Sequence, residues 1–157
     1  MANPMDALRS YQKALETGMP FYPEEFDGAY LKRNGQVNGA IRFDYVKIID
    51  GKVQALAMFA QDDPFKGVDR YCVAYAVSEA QRGQGLAVEA VNKGFEDLTK
   101  KFSEAKITGF YIEAMIDATN IHSIRVAKQL FPSPGVPTTD SETGTQSLLF
   151  FRLIAIS

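Results

Sequence analysis

Arg82-Gly83-Gln84-Gly85-Leu86-Ala87 carries the densest chemical signal in the chain, because it lies where an alternating run over residues 71–77 gives way to a helical period. Backbone N–H groups at a strand-to-helix junction have no partner inside the helix and point outward, and the helix dipole adds positive potential there. A phosphate can be held at such a place with few cationic side chains. Glycine at 83 and 85 lets a ligand approach the donors without meeting a Cβ. The plainer reading is a turn that opens a helix. Two common nucleotide loops fit poorly. A dinucleotide fingerprint needs a third glycine three residues after Gly85, where Val88 stands. A P-loop needs Gly-Lys-Ser/Thr, and here Gly85 precedes Leu86-Ala87.

Metal and thiol chemistry have less to build on. The one histidine, His122, cannot form a histidine cluster, so no metal site is expected. The one cysteine, Cys72, lies inside Tyr71-Cys72-Val73-Ala74, which describes a packed thiol and excludes an intramolecular disulfide.

The phosphate loop must be positioned by the elements around it. Leu8, Tyr11 and Leu15 after Pro4 predict a first helix that stops at Gly18 and Pro20, followed by a loop with Pro23, Glu24, Glu25 and Gly28. Residues 40–49 alternate as a strand, Asp50-Gly51 supplies a tight turn, and residues 53–60 return as its partner until Asp62-Asp63-Pro64 breaks it. In residues 71–77 large side chains (Tyr71, Val73, Tyr75, Val77) alternate with small ones (Cys72, Ala74, Ala76), as in a strand covered on both faces. Leu86, Ala90, Val91, Phe95, Leu98 and Phe102 then form one helical stripe, with Glu89, Lys93, Glu96, Asp97, Lys100 and Lys101 facing away. Phe110, Ile112, Ala114 and Ile116 mark a strand, residues 120–130 a short helix, and residues 148–156 a closing apolar strand. Residues 132–145, rich in Pro, Gly, Ser and Thr, read as a loop. Tyr22, Tyr30 and Tyr45 read as packing residues before pocket residues.

The 157 residues, 46% hydrophobic and 23% charged, suit a single domain over 1–157 with a full core and exclude a disordered chain. Nine basic and ten acidic residues fall in 1–70, against eight and nine in 71–157, so no nucleic-acid footprint is visible. No apolar stretch approaches the ~18 residues of a membrane span and no signal-peptide core opens the chain, which leads to the expectation of a cytoplasmic protein without a membrane partner.

With order and spacing in view, the chain resembles the GNAT superfamily of acyl-CoA N-acyltransferases. Its pattern Arg/Gln-x-x-Gly-x-Gly/Ala is matched by Arg82, Gly85 and Ala87 after a strand ending at Val77. Ile112-Glu113-Ala114, then Asn120-x-x-Ser123-x-Arg125-Val126-Ala127, is similar to the second half of the coenzyme site in the branch with ribosomal-protein N-terminal acetyltransferases, as is Glu89-Ala90. The likeness covers residues 74–131. It implies an α/β fold with a mixed, mainly antiparallel sheet whose central strands splay, flanked by helices, and acetyl-CoA (coenzyme A) as co-substrate.

The resemblance also implies roles. The pantetheine arm would pair with backbone near Tyr75, Ala76 and Val77, and the diphosphate would rest on Arg82, Gly83, Gln84, Gly85, Leu86 and Ala87. An N–H near Val77 would stabilise the oxyanion. Asn120 would contact the coenzyme, with a helix N-cap as its structural alternative. Ser123 would face the sulfur and serve the leaving thiolate; otherwise it is a serine bonding back to a carbonyl. The family's tyrosine acid is replaced by Ala127, its strand glutamate by Met115, and the usual Gly-Phe after the short helix by Leu130-Phe131-Pro132. Glu113, Asp117 and Glu79 are the remaining candidate bases, with Glu113 preferred. His122, two residues from Asn120, points to another face and reads as a surface or core histidine. The expected activity is acetyl transfer to a primary amine, a peptide N-terminus or small amine, by direct attack in a ternary complex; a non-catalytic acyl-CoA-binding module is the alternative. A homodimer through the apolar closing strand is a further expectation.

Overall fold

The computed structural model describes residues 3–18 and 25–157. Three helices, α1 (Pro4–Thr17), α2 (Leu86–Glu104) and α3 (Ile121–Leu130), pack on one sheet. Its strands are β1 (Glu25–Asp27), β2 (Tyr30–Val37), β3 (Ala40–Ile49), β4 (Lys52–Phe65), β5 (Val68–Val77), β6 (Gly109–Asp117), β7 (Val136–Thr139) and β8 (Gln146–Ala155). They lie in the order β1-β2-β3-β4-β5-β6-β8-β7, antiparallel throughout except for β5 beside β6.

Local chemistry accounts for most of these elements. Asn3 caps α1 by accepting from the amides of Met5 and Asp6 (2.9 and 3.3 Å), Pro4 sits in the first turn, and Gly18 closes the helix at φ 69°. Asp50 and Gly51, both at positive φ (51° and 73°), turn β3 into β4. The next strand does not break at Pro64 as expected. Its register shifts between Asp62 and Phe65, an irregularity where a missing N–H is tolerated, and Lys66-Gly67 makes the turn instead (φ 51° and 76°). The expected loops also contain strand: Glu25 opens β1, and β7 lies within residues 132–145. β2 was not anticipated. Pro20, Tyr22, Pro23 and Glu24 lie outside the described residues.

The two faces of the sheet carry separate cores. Leu98 of α2 and Ile124 of α3 pack on Tyr45, Phe59, Phe110 and Phe150, while Leu8 and Tyr11 of α1 cover Leu31, Val46, Leu56, Met58 and Ala76 on the opposite face. Tyr11 anchors α1 by donating to buried Asp44 (2.5 Å), which Arg42 also grips through two nitrogens (2.9 and 2.8 Å). Tyr30 and Tyr45 are packing residues whose hydroxyls donate to Glu89 and Asp97 of α2, each at 2.7 Å. Asp97, expected on the solvent face, is therefore largely covered.

β5 and β6 share only three rungs, Arg70 with Tyr111, Tyr71 with Ile112 and Cys72 with Glu113. Past Cys72 and Glu113 they separate. The closing strand β8 is interior, paired along its length with β6, while β7 covers only its Gln146–Leu149 portion. No helix among the described residues is long and apolar enough to cross a membrane.

Candidate active site in the strand cleft

The parting of β5 and β6 opens a cavity of about 760 Å³. Tyr75, Ala76 and Val77 form one wall. Ser78 donates to the carbonyl of Gln54 at 2.9 Å, and in an antiparallel ladder such pairs alternate. Tyr75 and Val77 therefore aim their N–H and C=O groups away from β4 and into the gap.

The second wall is the loop between β5 and α2. A single 3₁₀ turn (Glu79–Gln81) leads into Arg82, and Gly83 and Gly85 adopt φ 80° and 74°. A Cβ built on either glycine would meet nothing within 4 Å, so both open onto free space. The first internal bond of α2 runs from Glu89 N–H to Gly85 O (3.1 Å), and among the described residues no backbone amide from Arg82 to Val88 has an acceptor. Arg82, Gly83, Gly85, Leu86 and Ala87 line the cavity; Gln84 does not, its side chain lying 3.4 Å from Gln81 Oε1.

α3 supplies the third wall. Asn120 caps it, its Oδ1 accepting from Ser123 N–H at 3.2 Å, and both residues line the cavity. The Ser123 hydroxyl has no hydrogen-bond partner among the described residues, so it does not bond back to a carbonyl. Its main-chain carbonyl accepts from the Tyr75 hydroxyl at 2.6 Å. His122, Arg125, Val126 and Gln129, spaced i, i+3, i+4, i+7, share one stripe of α3 and also line the cavity. His122, expected on a face apart from Asn120, is exposed and lines the same cavity as Asn120. Asn3, the cap of α1, and Pro4 and Met5 of its first turn complete the lining. Neither the α1 contribution nor that of His122 was anticipated.

Of the seven arginines, five have partners in the protein. Arg82 and Arg125 are the two without one among the described residues, and both line this cavity from different walls. The site is electropositive and has unspent hydrogen-bond donors, the requirement for a ligand with several anionic oxygens.

Glu113 sits elsewhere. It stands on the last rung of the β5–β6 ladder, nearly covered, paired with Arg70 (3.5 Å) and accepting from the Cys72 thiol (3.2 Å). It does not line the cavity. Asp62, Cys72 and Glu113 come within 4.8 Å of one another, a spacing that would admit a cation, but Arg70 also reaches Asp62 (3.5 Å) and neutralises both carboxylates. Burial and these two carboxylates push the Cys72 thiol well above its ordinary pKa, which makes it a packed, poorly nucleophilic group. Asp117 accepts from the hydroxyl and the amide of Thr119 (2.7 and 2.8 Å); these bonds hold its carboxyl below the usual range within a turn. Glu79 is exposed outside the lining. No carboxylate among the described residues lines the cavity.

Residues 7–131 match the family model described as Acetyltransferase (GNAT) family. Among solved structures the chain is similar to a protein from Bordetella pertussis described as a GNAT-family acetyltransferase, at 20% identity and TM-score 0.51, with 74% of this chain and 67% of that one covered. It is also similar to the ribosomal-protein-S5-alanine acetyltransferase of Vibrio fischeri (18% identity, TM-score 0.52, 72% and 61% covered). A third similar structure is a ribosomal L7/L12 alpha-N-protein acetyltransferase in complex with coenzyme A (15% identity, TM-score 0.50, 72% and 62% covered). The chain thus spans about three fifths of the length of the latter two. At these identities the likeness is one of fold. No curated protein matches the chain.

Proposed function

The chain belongs to the GNAT acetyltransferase family, and from that premise we propose that it transfers an acetyl group from acetyl-CoA to a primary amine, a peptide N-terminus or a small amine, by direct attack in a ternary complex. The observation that carries this reading is the set of unpaired amides from Arg82 to Val88 at the mouth of a cavity between two diverging strands. When bound, acetyl-CoA supplies an activated acetyl group as a thioester.

The protein's own groups divide the work. The amides of Gly83 to Ala87 and the Arg82 guanidinium hold the diphosphate, with Arg125 as a second cation across the cavity. The free edge of Tyr75 to Val77 pairs with the pantetheine amides. The Val77 N–H, aimed into the gap, donates to the thioester oxygen as negative charge builds there. As the amine nitrogen bonds to the acetyl carbon and the carbon–sulfur bond breaks, the unengaged Ser123 hydroxyl donates to the departing sulfur. With Glu113 held by Arg70 and Cys72, proton removal from the amine falls to His122, the one imidazole in the cavity wall.

A thermal-shift comparison of coenzyme A, ATP and NAD, followed by acetyl-CoA turnover on peptide libraries and small amines, tests this assignment. Coenzyme A should raise the melting temperature where the other two do not, and one acceptor class should release free thiol. A melting temperature raised by ATP or NAD alone would overturn it. Coenzyme binding with no turnover on any amine would instead identify an acyl-CoA-binding module.

A further inference from the structure

Beyond the last shared rung of β5 and β6, a single hydrogen bond among the described residues joins the segment from Tyr75 to Gly85 to α3. It is the 2.6 Å donation from the Tyr75 hydroxyl to the Ser123 carbonyl. Tyr75 projects to the α2 and α3 side of the sheet, half-buried against that core. It reaches an oxygen that already serves the helix's own i to i+4 ladder, using its second lone pair. Burial pushes the phenol far above its ordinary pKa, so the hydroxyl remains a donor.

The walls on either side of this bond carry different halves of the chemistry. The Val77 amide, two residues from Tyr75, belongs to β5, and the Ser123 hydroxyl, on the residue whose carbonyl is gripped, belongs to α3. From this geometry we infer that Tyr75 is a positioning residue: its hydroxyl latches the first turn of α3 to β5 and so fixes the spacing between the Val77 amide and Ser123 Oγ. This role depends on the acetyl transfer proposed above. Such a latch is needed because no ladder bonds hold the two arms at a set width, and a misplacement of about 1 Å can lower a rate by ~100-fold.

Tyr75→Phe keeps the ring and removes only the latch. In hydrogen exchange followed by mass spectrometry, the amides of residues 119–127 should exchange about fivefold faster than in the parent protein, the effect of losing one hydrogen bond. Titration with coenzyme A should give a Kd within about threefold of the parent, because Tyr75 enters the proposed coenzyme site through its main chain, which phenylalanine keeps, and the phosphate-binding amides are untouched. With the amine acceptor from the turnover screen, kcat should fall about tenfold. In a Ser123→Ala background the same change should lower kcat by less than about twofold, since the group being positioned is gone. Unchanged exchange over 119–127, or equal kcat losses in both backgrounds, would overturn the latch. Failure of the parent protein to bind coenzyme A would instead remove the coenzyme assignment.

Discussion

At the scale of single residues, Gly85 is the most exacting position in the phosphate loop. Its φ of 74° lies where a β-branched side chain is strained, while the space a Cβ would enter is empty protein-free volume. Gly85→Val should therefore cost about 1–2 kcal/mol of stability and weaken coenzyme A binding by more than tenfold, checked by melting and by calorimetric titration. Intact affinity would remove the loop from the binding site. His122→Gln should lower kcat/KM about a hundredfold at neutral pH while leaving coenzyme A affinity near the parent value; stopped assays across pH with the identified acceptor would measure it. The loop was legible in sequence because its glycines and its strand-to-helix position are local facts. Glu113 was not, because the groups that occupy it come from Arg70 and Cys72 on a neighbouring strand, and the register of a parallel pair leaves no mark in either segment. His122 is exposed, as a surface histidine would be, but its place in the cavity wall depends on how α3 packs against β5, which its sequence neighbours do not encode.

At the scale of elements, α2 must be held firmly for its N-terminal amides to stay in place. Gly94 allows this by bringing the helix against β4: a Cβ there would overlap the Phe59 ring at Cε2 and approach Tyr45 Cδ2 to 3.1 Å. Gly94→Ala should destabilise by about 1–3 kcal/mol, seen in urea unfolding, with a loss of coenzyme affinity following from the displaced helix. Asp97 provides the polar anchor. Burial alone would raise its carboxyl, but bonds from the Tyr45 hydroxyl (2.7 Å) and the Lys32 ammonium (3.0 Å) outweigh that and hold it below the usual range. A depressed carboxylate stabilises the fold above its unfolded pKa, and this stabilisation disappears as pH falls through the folded value. Asp97→Asn should thus cost about 1–2 kcal/mol at pH 7, and the gap to the parent protein should narrow below about pH 4, measured as melting temperature against pH. The strong periodic elements, α2, β3 and β6, were read nearly to the residue. β2 and β7 were missed because their residues, among them Lys32, Asn34, Gln36 and the Val136-Pro137-Thr138-Thr139 edge, take strand form from their neighbours rather than from an apolar alternation of their own.

At the scale of the whole molecule, a fold with helices on both faces has one seam where the strand ladder narrows to three rungs, crossed by the core of Tyr71, Phe102, Phe110 and Ile112 but open beyond them. Saturating coenzyme A should bridge that seam, raising the melting temperature in step with the logarithm of ligand concentration. The cavity is lined by α2 and α3 on one side of the sheet and by the first turn of α1 on the other. Direct transfer as proposed requires acetyl-CoA and the amine to occupy this one cavity together, the coenzyme lying against the amides of residues 82–88. Steady-state patterns should follow: initial-rate lines that intersect instead of running parallel, and free coenzyme A competing with acetyl-CoA but not with the amine.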